Sequence, residues 1–338
     1  MPSFLLFTEA ARNTWPVVSP TGRRAAAASP AARLLTPGRL RVGIYDKLFW
    51  RRHGRSPDPS ITYYQHEPSA HGFEWLDLCD DPAQVDVVMT SCKVDRRVLR
   101  SAHPRRIVYL QETTEEYRPP AFDLLREFDL VLSNDQRVLD ALPDRTRYMT
   151  LFGIRMPPDH YAVVPEKTRN ISLMGSPRVH LIGHLLRWRT HDRLTGFDAF
   201  GFDGRPYWKS ESLGPYRFQI CIENTWYPHW ATEKLWDAFA LETVPIYWGG
   251  ISDEMLTAWG FRADGLIRWS GRLEELRDRL EAINAAPEEH YAARAEAVAQ
   301  NRRRVLELPC GEVALRSVIA DFFRFAVAGR SFRAPSSY

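Results

Sequence analysis

Short apolar runs alternate with longer stretches of helical spacing through most of this chain. In the first half, runs at residues 41–45, 61–65, 85–89, 107–110, 128–133 and 148–152 have the length and β-branched content of strands, and an apolar pattern lies at 73–78. Helical spacing separates them at 94–102, 119–127 and 136–142. In the second half, strands are expected at 171–175, 197–202, 218–222, 244–248 and 266–269. Helices are expected at 179–189, 273–285, 290–308 and 313–328. In the first of these, Leu181, Ile182, Leu185, Leu186 and Trp188 supply the apolar positions. Strands that alternate with helices argue for parallel sheets in an α/β protein.

The alternation also divides the chain. Residues 1–38 mix Ala, Ser, Pro and Arg without periodicity and read as a flexible segment. An N-terminal α/β domain is expected over 39–160, and a second over 161–312 after a break at 157–167. A C-terminal helix and tail, 313–338, has Leu315, Val318, Ile319, Phe322, Phe323 and Ala326 on one face.

Residues 216–250 are the most informative stretch. A strand ends at Glu223-Asn224, an aromatic loop follows, and Thr232 is placed to cap a helix carrying Leu235, Ala238 and Phe239. A second strand stops at Gly249-Gly250. This is a βαβ unit, and ligands bind such sheets beyond the carboxyl ends of their strands. Lys234 falls in the first helical turn, where a cation is locally unfavourable unless an anion arrives. The alternative is that Glu233 neutralises it on a solvated face.

The same residues resemble the signature of the α-1,3-fucosyltransferases, glycosyltransferase family 10. The matching elements are Glu223-Asn224-Thr225, Trp230-Ala231-Thr232-Glu233-Lys234 and Val244-Pro245-Ile246-Tyr247-Trp248-Gly249. One position departs: Trp230 stands where the family usually has Tyr. The resemblance implies two Rossmann-like domains facing a cleft, the GT-B type, and inverting transfer of L-fucose from GDP-fucose to a glycan or glycolipid hydroxyl. It implies a donor site of Arg178, Glu223, Asn224, Trp230, Thr232, Glu233, Lys234 and Gly249, with Arg178 and Lys234 on the diphosphate, Glu233 on the ribose, and Glu223 and Asn224 ordering the loop. Glu112, at a strand end within Arg105-Arg106-Ile107-Val108-Tyr109-Leu110-Gln111-Glu112, matches the family's general base. Two other readings stand beside this one. Thr113 and Glu116 have capping-box spacing, and Glu115 is a second candidate base. Arg178 could equally be a surface arginine at a helix start. Transfer of another GDP-linked deoxysugar, and nucleotide-sugar binding without catalysis, fit the same motifs.

Composition narrows the rest. The chain has 338 residues, 44% hydrophobic and 26% charged, which suits two packed domains. With 45 basic and 42 acidic side chains the net charge is only +3, which argues against a dedicated nucleic-acid binder. Cys79, Cys92, Cys221 and Cys310 have neither disulfide-framework nor zinc spacing, so a reducing compartment is expected. No apolar run approaches the roughly 20 residues of a membrane span, and no leader pattern is evident, so a cytoplasmic location is expected. Arg302–Arg304 read first as a solvated helix face; the alternative is that, with the final apolar helix, they make peripheral contact with an anionic membrane. His180 and His184 have metal-ligand spacing, but no third ligand lies nearby, and no metal or other cofactor is expected.

Overall fold

Two five-stranded sheets carry the chain, and every described strand pairing is parallel. The computed structural model describes residues 42–44, 86–91, 96–100, 103–110, 122–149, 153–308, 318–319 and 322–323. The first sheet contains β1 (Val42–Ile44), β2 (Val87–Ser91), β3 (Arg106–Leu110), β4 (Leu130–Ser133) and β5 (Thr146–Tyr148), in that order. The second contains β6 (Arg169–Met174), β7 (Asp198–Phe200), β8 (Tyr216–Ile222), β9 (Val244–Trp248) and β10 (Ile267–Arg268). Its spatial order is β10-β9-β8-β6-β7. The strands expected at 61–65 and 73–78 lie outside the described residues, as does the 1–38 segment.

Both faces of the second sheet are covered, which is why its strands read as continuous apolar runs. Phe218, Ile220 and Ile222 of β8 pack with Leu276 and Leu280 of the helix Leu273–Ala285. On the other face, Cys221 and Tyr247 join Leu235, Trp236 and Phe239 of the helix Glu233–Ala240. Cys221 is a buried free thiol. The order places β6 between β7 and β8, so the chain leaves β6 toward one edge and returns on its other side. Such a switch point opens a crevice at the carboxyl ends of β6 and β8.

Several elements differ from the pattern reading. The helix expected at 179–189 runs Ile182–Arg193 and turns its polar side inward. His184, Arg187 and Thr190 are buried, while Ile182 and Leu185 are exposed. The reason lies in its neighbours: the helix packs Leu186 and Trp188 on the core of the second sheet, while Gly183 and Arg187 bond backbone carbonyls at the end of β8. The helix expected at 290–308 is two helices, Pro287–Ala292 and Ala295–Glu307. Proline at the first position starts the earlier one, whose Tyr291 packs edge-on to Phe218 and donates its hydroxyl to the Glu242 carbonyl. Short helices at Lys209–Leu213 and Asp253–Ala258 were not legible from periodicity.

The final segment has a packing role. Val318 and Ile319 are buried against Val87, Ile107 and Leu130 of the first sheet, with Phe322 and Phe323 packed beside them. Arg302 donates to the carbonyls of Ala240 and Tyr161, and Arg304 to that of Trp259. Arg302 and Arg304 are therefore engaged within the protein, while Arg303 is exposed and most of the helix expected at 313–328 lies outside the described residues. No helix among the described residues is long and apolar enough to cross a membrane.

Candidate functional site

A cavity of about 470 Å³ opens at the switch point. Gly175, Ser176 and Arg178 after β6 form one wall, and Asn224, Glu233 and Lys234 beyond β8 form another. The site follows from how β8 ends. Glu223 is wholly buried, yet its carboxylate is fully engaged. The Thr232 backbone N–H donates to Oε1 at 2.9 Å and the Thr232 hydroxyl to Oε2 at 2.7 Å. The Tyr247 hydroxyl donates to Oε1 at 3.3 Å. Lys234 completes the set, with Nζ 3.6 Å from Oε2 and donating to Thr232 Oγ1 at 3.0 Å.

Thr232 occupies the N-cap position with extended backbone, but its hydroxyl turns to Glu223 and makes no capping bond. No side chain caps the N–H groups of the first turn, although that of Leu235 bonds the Thr232 carbonyl, and Glu233 adds a carboxylate there. Burial would raise the Glu233 pKa, but Lys234, Lys209 and Arg155 outweigh it and hold the carboxyl well below the usual range. Lys209 bridges Glu233 at 3.7 Å and Asp237 at 2.5 Å. Asp237 also accepts the Arg155 backbone N–H at 2.6 Å. Its pKa is raised, because burial exceeds the opposing pull of Lys209 and of its hydrogen bonds.

Asn224 is held from the other side. Its Oδ1 accepts from Arg187 at 2.9 Å, and its carbonyl accepts from the Gly183 N–H at 2.8 Å. Arg187 also donates to the Ile222 carbonyl, at 3.1 Å from Nε. A Cβ at Gly183 would run into the carbonyl oxygen of Glu223, so only glycine permits this approach. Gly249 has a similar role, since a Cβ there would strike the Tyr247 phenol and lie 2.8 Å from Glu223 Cγ.

Not every expected residue reaches the cavity. Arg178, Asn224, Glu233 and Lys234 line it. Glu223, Trp230, Thr232 and Gly249 do not; they stand behind the wall and shape it. Trp230 is a core residue, 1% exposed, and its carbonyl accepts from Tyr247 at 3.3 Å. Its indole is packed too deeply to be a ligand surface. Arg178 is exposed and has no hydrogen bond or ion pair among the described residues. Glu112 and Glu115 lie outside the described residues.

The cavity is also lined by residues that the sequence reading did not assign to a donor site. Lys209 sits on an unrecognised helix. His184 was read only for its metal-ligand spacing with His180, and Arg187 was not singled out. Asp237 does not line the cavity, but it holds Lys209 there, and its signal was visible as a carboxylate within the apolar run Leu235–Ala240. His180 and His184 do stack edge-on at 4.7 Å, but no group of three metal-ligating side chains occurs among the described residues.

The loop between β8 and the helix Glu233–Ala240 is tied to the first sheet as well. Tyr148 donates to the His229 carbonyl at 2.6 Å, and Arg137 to the Tyr227 hydroxyl at 2.7 Å. His229 has φ +64°, a left-handed conformation that its side chain disfavours. Its N–H bond to the Gly250 carbonyl at 2.9 Å fixes it there.

No family model matches the chain. Over 44 residues, 13% of its length, it is 48% identical to the alpha-(1,3)-fucosyltransferase FucT of Helicobacter pylori, and the matched segment is 9% of that relative. The structure is similar to a solved α1,3-fucosyltransferase with a TM-score of 0.54 at 17% identity, over 88% of this chain and 92% of the other. A second solved α1,3-fucosyltransferase, with GDP-fucose, has a TM-score of 0.51 at 16% identity, over 89% and 93%. At these identities the structural likeness establishes the fold, which is the two-sheet α/β architecture called GT-B. The fucosyltransferase resemblance is thus met both by a short stretch of sequence identity and by the fold.

Proposed function

We propose that this chain, with the fold of the α-1,3-fucosyltransferases and their signature around Lys234, is a glycosyltransferase that moves L-fucose from GDP-fucose to a hydroxyl of a glycan acceptor. One observation carries the reading. A buried carboxylate, Glu223, holds Thr232 and Lys234 at a helix N-terminus, on the wall of a cavity that also presents the unpaired Arg178. Cations and free backbone N–H groups converging on one cavity suit a diphosphate.

In this reading Glu112, two residues beyond β3, removes the acceptor proton as its oxygen attacks the anomeric carbon. The bond to the diphosphate breaks on the opposite face, so the configuration inverts. Arg178 and Lys234 stabilise the negative charge that gathers on the departing GDP. Glu233, ionised by its lysine neighbours, accepts from ribose hydroxyls. With two cations and a helix terminus on the leaving group, the reaction needs no divalent metal.

Titration calorimetry with GDP and UDP, without added metal, followed by transfer assays with GDP-fucose and other GDP-deoxysugars, tests the reading. Tighter binding of GDP and release of GDP from GDP-fucose are expected. Equal affinity for UDP would remove the guanine assignment, and preferred turnover of another deoxysugar would change the donor. Binding without turnover across an acceptor panel would favour a non-catalytic nucleotide-sugar-binding protein.

A further inference from the structure

His184 is the histidine of this cavity, and its surroundings are unusual. It lies in the first turn of the helix Ile182–Arg193, next to Gly183, whose N–H bonds the Asn224 carbonyl at 2.8 Å. The side chain is only 3% exposed and belongs to the cavity wall. Its Nδ1 is buried without a hydrogen-bond partner, and Nε2 has none among the described residues. A buried imidazole nitrogen without a partner is costly, by the general rule that buried polar groups find partners. Leu181 provides no side-chain cap at this helix terminus either.

The neighbouring charges point to what is missing. Burial first, and then Arg187, His180, Arg178 and Lys234, push the His184 pKa down to about 3. The ring is therefore neutral, with one N–H to give, in a setting dominated by positive charge. Such a setting is complementary to an anion.

We infer that His184 is a direct contact of the donor's diphosphate, donating a ring N–H to a phosphate oxygen beside Arg178 and the N-terminus of the helix Ile182–Arg193. This deepens the donor-site reading and rests on it. His184 then adds geometric selection. A neutral donor fixes an oxygen's position without adding another full charge to a site already rich in cations.

Three measurements test the inference. In the first, GDP and inorganic pyrophosphate are titrated into the wild type and into His184→Leu and His184→Gln. The leucine variant should weaken both ligands by roughly tenfold, the scale of one hydrogen bond to a charged group. Glutamine, which carries an amide N–H at similar reach, should recover most of that loss. In transfer assays the leucine change should raise KM for the donor more than it lowers kcat, with an unaltered Tm. In the third measurement, the ¹⁵N resonances of the His184 ring in the wild-type protein should move when pyrophosphate is added. This readout does not depend on any variant folding.

An unchanged pyrophosphate affinity in His184→Leu, or a silent His184 resonance, overturns the inference while leaving a GDP-binding wild type intact. A wild type that binds pyrophosphate through His184 but does not prefer GDP supports the inference and removes the guanine reading instead.

Discussion

Glu223 and Thr232 face each other across an eight-residue loop and join through two hydrogen bonds, 2.9 Å from the Thr232 N–H and 2.7 Å from its hydroxyl. The pair pins the end of β8 to the start of the next helix, and Lys234 leans on both members. The loop it closes carries the strained His229 and its bonds to the first sheet. Glu223→Gln keeps the shape but sets an amide N–H₂ against a Thr232 donor and removes the counter-charge of Lys234. We expect a loss of about 2–4 kcal/mol of stability, read by urea denaturation, together with weakened nucleotide binding. A variant as stable as the wild type would show that the pair is dispensable.

Lys234 is the cation this arrangement presents to the cavity. Lys234→Ala should cost about 1.5–3 kcal/mol of GDP binding, or roughly tenfold to a hundredfold in Kd. Calorimetry reads the effect directly. Unchanged affinity would move the diphosphate contact to Arg178 alone.

The depressed pKa of Glu233 makes a prediction about acid. Burial opposes ionisation, but Lys234, Lys209 and Arg155 overcome it, so the folded value lies below the ordinary 4.5. A carboxyl with a depressed folded pKa stabilises the native state fully above its unfolded value and loses that contribution as pH falls. Unfolding measured from pH 6 to pH 3 should therefore show the wild type losing its advantage over Glu233→Gln below about pH 4.5. A gap between the two that stays constant with pH would contradict the ion-pair assignment.

Gly183 tests the contact between the helix Ile182–Arg193 and the end of β8. The Cβ of Gly183→Ala would meet the Glu223 and Asn224 carbonyl oxygens, so the helix must move away. Overpacking of this kind costs about 1–3 kcal/mol. Because Asn224 moves with it, nucleotide affinity should fall in the same variant. Thermal unfolding and GDP titration on one preparation check both effects.

Glu112 is expected to activate the acceptor. Glu112→Gln should leave GDP binding intact while turnover falls by about 10²–10⁴-fold, the usual worth of general base catalysis. Glu115→Gln should change little by comparison. Near-normal turnover in the Glu112 variant would place the base elsewhere, with Glu115 first in line.

Much of the second sheet was legible because its elements are dictated locally. The β9 strand at Val244–Trp248 is an apolar run closed by two glycines, and Leu273–Ala285 has a regular amphipathic period. Both occur at the bounds the pattern gives. The same holds for the βαβ unit and for the position of Glu223-Asn224 at a strand's end. Periodicity, however, reports which positions avoid water and says nothing of what they meet instead. The helix Ile182–Arg193 buries His184, Arg187 and Thr190 while Ile182 and Leu185 are exposed, because part of its neighbour is the carbonyl-lined end of β8, which Arg187 and Gly183 bond. Trp230 sits in a motif associated with donor binding, yet it is buried and its carbonyl accepts from Tyr247 of β9. Lys209 meets Asp237 across 28 positions of sequence, a pairing created only when two helices dock. The sequence alone determined the parallel α/β order and the local signature. Tertiary structure decided which polar side chains face the cavity and which hold its wall, because that depends on partners distant in the chain.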